Sequence, residues 1–443
     1  MNAKGFFSFL IFNVFSLMFL SIFTTHYVSL DCAFLCIFIS ISYLLWKHFQ
    51  APINIAISSF CVFSYLFFFI APLCQIHLFN GSGGYFPNTL PFIYNDVLFA
   101  TLLILVFNMT LIFFLKVLGC FSFHKENLVA VRPAGAYDFL IKVLVMSSIA
   151  FIPLVFMISN ENSAIERLIM GKVIFFIPLL PALYLSRHHT GYYFWIFVLS
   201  VIILLIFKNP FIEKRNALGP IYLTLLVFYF GVAFWSNFRS FLLLFVSLVV
   251  VFPLISIVTH NKEAALSDIV AIGFSGLADL IAESFLSLHY DAFSNILAAV
   301  YYVQDFGASY GMQALGALLF FVPRSIWTGK PESSGIEIGD YLIENYAMWF
   351  NNLSMPFVAE SYLNFGVLGI PIFSFLLANI IKIFGAWSRS GDFLKNAAAI
   401  YFSFHLTFAL RGDLMNGVAY FIGPLIAMYF IPLLIIKFKS KLS

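Results

Sequence analysis

Charge is what this 443-residue sequence has least of. Asp, Glu, Lys and Arg make up 10% of it, against 62% hydrophobic residues; a soluble domain carries about 25% charged residues. So few charges cannot cover a water-facing surface, which excludes one or two ordinary soluble domains. The net charge of +3 gives no ground for a nucleic-acid partner. Cysteine is scarce as well. The five (Cys32, Cys36, Cys61, Cys74 and Cys120) are odd in number and contain no Cys-x-x-Cys pair, so neither a disulfide framework nor a zinc site is expected. A phosphate-binding loop is missing, because Arg324 stands where the glycine upstream of Gly329–Lys330 would have to be. There is no His-Glu-x-x-His and no metal-spaced cluster, and no metal or cofactor is expected.

What the chain has in abundance is long apolar runs. A helix needs about 20 apolar residues to cross the hydrocarbon core, and lipid leaves no water for an unpaired backbone, so helices are the spanning form to expect. Twelve candidates follow: 6–23, 30–46, 52–73, 92–115, 137–158, 172–186, 192–207, 220–236, 240–258, 363–384, 396–410 and 417–436. The first follows Lys4 but lacks a small-residue cleavage site, and reads as an uncleaved membrane helix. The expectation is an all-α polytopic membrane protein in three parts: helices 1–9 over residues 1–258, a long extracytoplasmic segment over 259–362, and helices 10–12 over 363–443.

Basic residues orient the chain, since short cytoplasmic loops collect Lys and Arg. With both ends inside, the inner side holds Lys4, Lys47, Lys116, Lys125, Arg132, Lys142, Arg187, Arg239, Lys382, Arg389, Lys395, Lys437, Lys439 and Lys441, against the acids Glu126, Asp138 and Asp392. The outer side keeps most of the acids. Twelve helices with cytoplasmic termini is the arrangement these charges favour.

The long outer segment has structure of its own. Over 275–307 the apolar residues, among them Leu277, Leu280, Ile281, Leu288, Phe293, Ile296 and Val300, mostly follow one helical face. Asp279, Glu283, Asp291 and Asp305 make this a poor span and a better interfacial amphipathic helix. The patch "QALGALLFFVP" ends at Pro323 and could dip into the outer leaflet. An alternative makes 277–303 and 311–323 an extra pair of spans, with the orientation unchanged.

Against the charge trend, cations gather on the outer side. Lys208, Lys214 and Arg215 share one short loop, Arg324 and Lys330 a second, and Arg411 ends helix eleven in "LRGDLMNG". A lone lysine at such a place ordinarily snorkels to headgroups or pairs with an acid. The arginines are better candidates, because they sit beside Pro or Gly and a guanidinium presents a planar fork to phosphate oxygens. His289, Asp291, Glu344 and Glu360 are the acids that could serve as bases; the plainer reading of each is a solvated acid or an arginine's partner. Aromatics crowd around Arg324, including Trp327, Tyr341, Tyr346 and Trp349. They suit a membrane interface and equally the face of a sugar. The helix cores hold almost no ionisable groups, which speaks against an ion-coupled transporter.

At these residues the sequence resembles a known family. The run "DAFSNILAAVYYVQDFGASYGMQALGALLFFVPRSIWTGKPESSG" and the later "AESYLNFGVLG" are similar to the O-antigen polymerases (Wzy), with "NPFIEKRNALGP" and "RGDLMNG" as supporting pieces over roughly 208–420. Arg324 and Gly335 carry the arginine, ten residues, glycine spacing of some members. The resemblance implies an enzyme of the bacterial inner membrane that joins oligosaccharide repeat units on its periplasmic face. Donor and acceptor are both carried on undecaprenyl pyrophosphate, with no nucleotide sugar and no established metal. It also implies a flippase and a chain-length regulator of the same pathway as possible partners. On that footing Arg324, Arg215 and Arg411 bind or stabilise the departing pyrophosphate, with Lys330 and Lys214 assisting. Glu360 or Asp291 deprotonates the acceptor hydroxyl or orients an arginine, and Trp327 and Tyr341 contact substrate. The rival readings are an O-antigen ligase and a lipid-linked oligosaccharide flippase.

Overall fold

A computed structural model describes residues 3–79, 84–122, 134–157, 173–210, 215–255 and 273–442. Among the described residues the chain is helical throughout, with a single isolated bridge between Tyr85 and Pro91. The first nine helices are α1 (Ala3–Ile22), α2 (Val28–Gln50), α3 (Ile55–Leu78), α4 (Tyr94–Val117), α5 (Ala134–Met157), α6 (Phe176–Leu185), α7 (Gly191–Phe207), α8 (Arg215–Phe230) and α9 (Asn237–Ile255). Among the described residues four lie in the middle segment: α10 (Gly273–Leu286), α11 (Ala292–Phe306), α12 (Met312–Leu318) and α13 (Ser334–Tyr346). The last four are α14 (Phe357–Phe365), α15 (Gly369–Ser388), α16 (Phe393–Arg411) and α17 (Leu414–Lys441). Taking α14 and α15 as one stretch, six of these are long and apolar enough to cross a membrane. Each of the twelve apolar stretches read from the sequence contains a helix.

Among the described residues three helices widen by one π-turn: Leu66–Ile70 in α3, Ser247–Val251 in α9 and Ile426–Phe430 in α17. Each turn ends two residues before a proline: Pro72, Pro253 and Pro432. A proline inside a helix has no N–H to give, and its ring crowds the carbonyl one turn back. One extra residue in the turn relieves the crowding and lets the helix continue.

The middle of the bundle is α3, whose apolar window is buried throughout. A helix that is apolar on every face belongs in an interior. Small hydroxyls tie it to its neighbours where water cannot. Ser59 Oγ donates to the Ser403 carbonyl of α16 at 2.5 Å. Asn108 of α4 donates to Ser64 at 3.2 Å and to Ser40 of α2 at 3.4 Å. Such interhelical bonds in apolar surroundings contribute about 0.6 kcal/mol each on average.

The segment expected as one amphipathic helix over 275–307 is two. It breaks at a 3₁₀ turn, Leu288–Tyr290, where Ser287 Oγ accepts from the His289 N–H at 3.2 Å. After the break, residues 292–301 of α11 are buried on all sides. Their polar members are paired there: Asn88 Nδ2 donates to the Ser294 carbonyl at 2.8 Å, and Asn295 Nδ2 donates to the Ser354 carbonyl at 2.8 Å.

Two glycines let α13 lie directly on the chain before α14. A Cβ on Gly335 would stand 2.1 Å from the Leu353 carbonyl oxygen, and one on Gly339 would stand 2.1 Å from that of Asn351. Backbone cannot yield as a flexible side chain does. Gly339→Ala is therefore expected to destabilise the protein by about 1–3 kcal/mol, the range for overpacking. In thermal denaturation of the detergent-purified protein it should lower the midpoint, whereas Gly135→Ala, where nothing lies within 4 Å, should leave it in place.

Candidate active site

The α15–α16 and α16–α17 connections lie at opposite ends of α16, and the second of them meets α11, α13 and α14. Arg411 is the last residue of α16. Gly412 and Asp413 then turn the chain, and Asp413 Oδ1 caps α17 by accepting from the Asn416 N–H at 2.8 Å. This short turn holds Arg411 toward the start of α11. Its Nε and Nη2 donate to Asp291 Oδ1 at 3.1 and 2.9 Å, and Nη2 also donates to the Leu288 carbonyl at 2.7 Å. Asp291 is 4% exposed and receives a further bond from Ser354 Oγ at 2.9 Å. Arg411 remains 32% exposed. Among the described residues, none of its hydrogen bonds uses Nη1.

Glu360 of α14 is fully buried. Its Oε1 accepts from the Leu414 N–H at 2.8 Å and its Oε2 from Ser334 Oγ at 2.9 Å. One carboxylate thereby joins three elements: α14, the first turn of α13, and the turn that carries Arg411. No basic side chain forms an ion pair with it among the described residues.

Arg324 and Lys330 are spent mostly on their own turn. Arg324 Nη1 donates to the Lys330 carbonyl at 2.7 Å and Nη2 to that of Pro331 at 3.1 Å. Its ion pair with Glu332, at 2.8 Å, joins side chains 47% and 54% exposed, and an exposed pair of this kind contributes little. Lys330 is buried, and its Nζ donates to the Phe320 and Val322 carbonyls at 2.7 and 2.9 Å. Burial, and then the neighbouring Arg324 charge, pull its ammonium below the usual lysine range. Trp327 lies within the same turn, its N–H donating to the Pro323 carbonyl at 3.1 Å. Tyr341 sits on α13 and donates to Asp305 at 2.6 Å; burial and that bond raise its pKa. Lys214 lies outside the described residues, and Arg215 is described only as the first backbone position of α8.

The structure thus brings Asp291 to Arg411, and Glu360 to the turn beside them, while Arg324 and Lys330 form a unit of their own. Sequence reasoning passed over Glu337. It lies one turn along α13 from Ser334, and accepts from Tyr302 on Oε1 and from Gln313 on Oε2. Its stretch "IEIGDYLIENY" entered the reading only through Tyr341, Glu344 and Tyr346. An apolar cavity of about 180 Å³ borders the Arg411 turn, lined by Leu410 and Leu414 together with Phe357, Phe384, Phe402 and Phe421. Among the described residues no cluster of three or more His, Cys, Asp or Glu could hold a metal ion.

These features define a polytopic helical membrane protein with a charged cluster beside an apolar cavity. Residues 352–442 match the profile of the family described as O-antigen polysaccharide polymerase Wzy, which supports the resemblance read from the sequence. The matched stretch runs from just before α14 to the end of α17, and contains Glu360, Arg411 and Asp413. It does not extend to Asp291, Arg324, Lys330 or Tyr341. No curated protein and no solved structure matches the chain.

Proposed function

We propose that this protein polymerises oligosaccharide repeat units carried on undecaprenyl pyrophosphate, working at the periplasmic face of the bacterial inner membrane. In this reading the chain crosses the membrane twelve times with both ends cytoplasmic. The observation that carries it is that the family match contains Arg411, whose guanidinium is aimed by Asp291 with Nη1 outside that pairing.

The chemistry follows from charge. The donor glycan's anomeric carbon is attacked by an acceptor hydroxyl, its bond to the phosphate oxygen breaks, and undecaprenyl pyrophosphate departs with the electron pair. Negative charge therefore grows on the leaving group. A cation fixed beforehand, at a boundary poor in water, stabilises that charge without having to reorganise, by about 2.7–4 kcal/mol for one well-placed donor. Asp291 serves as the positioning residue of Arg411. Arg324 with Lys330 stiffens the outer turn and presents Trp327, and Arg215 and Lys214 keep their part in pyrophosphate binding on the family resemblance alone. The cavity beside Leu410 and Leu414 takes the first isoprene units of the lipid, which places the pyrophosphate at its mouth. Glu360 holds the Arg411 turn against α13 and α14.

The test is reconstitution. Purified protein in liposomes, given the native lipid-linked repeat on one face, should yield a ladder of longer chains. Transfer only to a lipid A core would indicate a ligase, and translocation without elongation a flippase; either result would overturn the reading.

A further inference from the structure

Glu337 lies against a narrow slot between α11, α12, α13 and α14. Tyr302, Ser309, Gln313, Ser334 and Leu363 make up most of the rest of its wall. The slot has a volume of about 10 Å³, room for roughly one water or one hydroxyl group. Ser309 Oγ is buried there with no hydrogen-bond partner among the described residues. A buried hydroxyl left unpaired costs about 1–3 kcal/mol, so an oxygen entering the slot would be gained as a partner. Tyr302 of its wall belongs to an aromatic cluster in which Phe306 is the exposed member. Phe306 is 67% exposed, and its ring centroid lies 6.0 Å from that of Tyr341, which in turn lies 5.6 Å from Tyr302. Ring faces with carboxylates beside them suit a pyranose, whose C–H face stacks while its hydroxyls donate.

We infer that this slot seats the acceptor sugar's reactive hydroxyl and that Glu337 takes its proton; the inference rests on the polymerase reading. The other two acids are less suited. Asp291 is bound to Arg411, and Glu360 is fully buried, whereas Glu337, also paired on both oxygens, is only half-buried and borders a slot that holds an unpartnered hydroxyl. Glu337 is half-buried, on the first turn of α13, where the helix dipole favours a carboxylate. Tyr302 and Gln313 each donate to one oxygen and fix its plane, and the Tyr302 pKa is raised by burial and by this bond, so the phenol stays protonated and donating. The incoming hydroxyl donates to Glu337 and accepts from Ser309. As its proton passes to the carboxylate, its oxygen forms the new bond to the donor's anomeric carbon, and the old bond to phosphate breaks with its electrons leaving on the pyrophosphate. The protonated Glu337 then returns the proton to solvent.

The experiment uses the full-length protein in proteoliposomes with the native lipid-linked repeat. Glu337→Gln should slow elongation about a hundred- to ten-thousand-fold, the usual contribution of a general base. It should also abolish the rise in rate with pH on the acid side of the wild-type profile and be partly rescued by Glu337→Asp. Ser309→Val, which removes the unpaired hydroxyl and narrows the slot that Tyr302 and Gln313 also line, should raise the acceptor KM about tenfold. A Glu337→Gln protein within about threefold of wild type, or slowed with the wild-type pH profile intact, overturns the assignment, as does an unchanged KM in Ser309→Val. If the wild type elongates nothing in this assay, the polymerase reading itself fails and the assignment falls with it.

Discussion

Arg411→Ala is expected to abolish long chains and to lower the amount of folded protein at the same time. The two losses have different causes and can be separated. Removing the guanidinium strands Asp291, a carboxylate 4% exposed whose remaining side-chain bond comes from Ser354. Breaking one side of a buried pair costs about 3–5 kcal/mol, because the other charge stays where water cannot reach it. The double variant Arg411→Ala with Asp291→Asn removes that charge and keeps an oxygen for Ser354. It should return to near wild-type abundance in the membrane and still make no long chains. Arg411→Lys keeps one positive charge for Asp291 and loses the fork; it should be stable, with elongation down about a hundred- to a thousand-fold, the effect of one oxyanion-type donor. A double variant that restores both abundance and the chain-length ladder would reduce Arg411 to a partner of Asp291, and the leaving-group role would be gone.

The same pair shows how far a sequence can be read. The helices were legible because each needs only a local signal, an apolar run bounded by charge or by Pro and Gly. The π-turns were not, although each precedes a proline, because Pro153, Pro181 and Pro220 also lie inside helices and have no such turn before them. The break at Ser287–Asp291 was harder. The apolar spacing runs on through it, and what ends the helix is a serine bonding its own backbone together with distant partners for Tyr290 and Asp291.

The site was legible only in its parts. Asp291 and Arg411 stand 120 positions apart, and nothing in one sequence says that they touch. Arg324 and Lys330 stood out because they run against the charge trend of the outer side. Yet a cation in a turn can equally serve the open carbonyls of the turn itself, and Lys330 does so at Phe320 and Val322, just past the end of α12. Which use a lysine finds depends on the path of the backbone around it, a tertiary fact. Gly335 was noted for its distance from Arg324; its physical reason, the Leu353 carbonyl where a Cβ would be, needs the packed chain.

Glu360 gives the second large effect, and the choice of substitution decides what is learned. Glu360→Ala leaves the Leu414 N–H and the Ser334 hydroxyl without their buried acceptor. At about 1–3 kcal/mol for each unsatisfied group, and with the turn holding Arg411 released, the variant should be poorly folded and inactive. Glu360→Gln is the sharper test. Its Oε1 can still accept from Leu414, and its Nε2 can donate to Ser334, whose hydroxyl turns to accept, so the three elements stay joined. If Glu360 is a positioning residue, Glu360→Gln should keep normal abundance and elongate within a few-fold of wild type over the whole pH range. A normally folded Glu360→Gln protein slowed a hundredfold or more would instead make Glu360 the group that carries the proton. The two glutamates are then set against each other in one assay: a neutral glutamine should be tolerated where the carboxylate only accepts from fixed donors, and not where it must take a proton from a substrate.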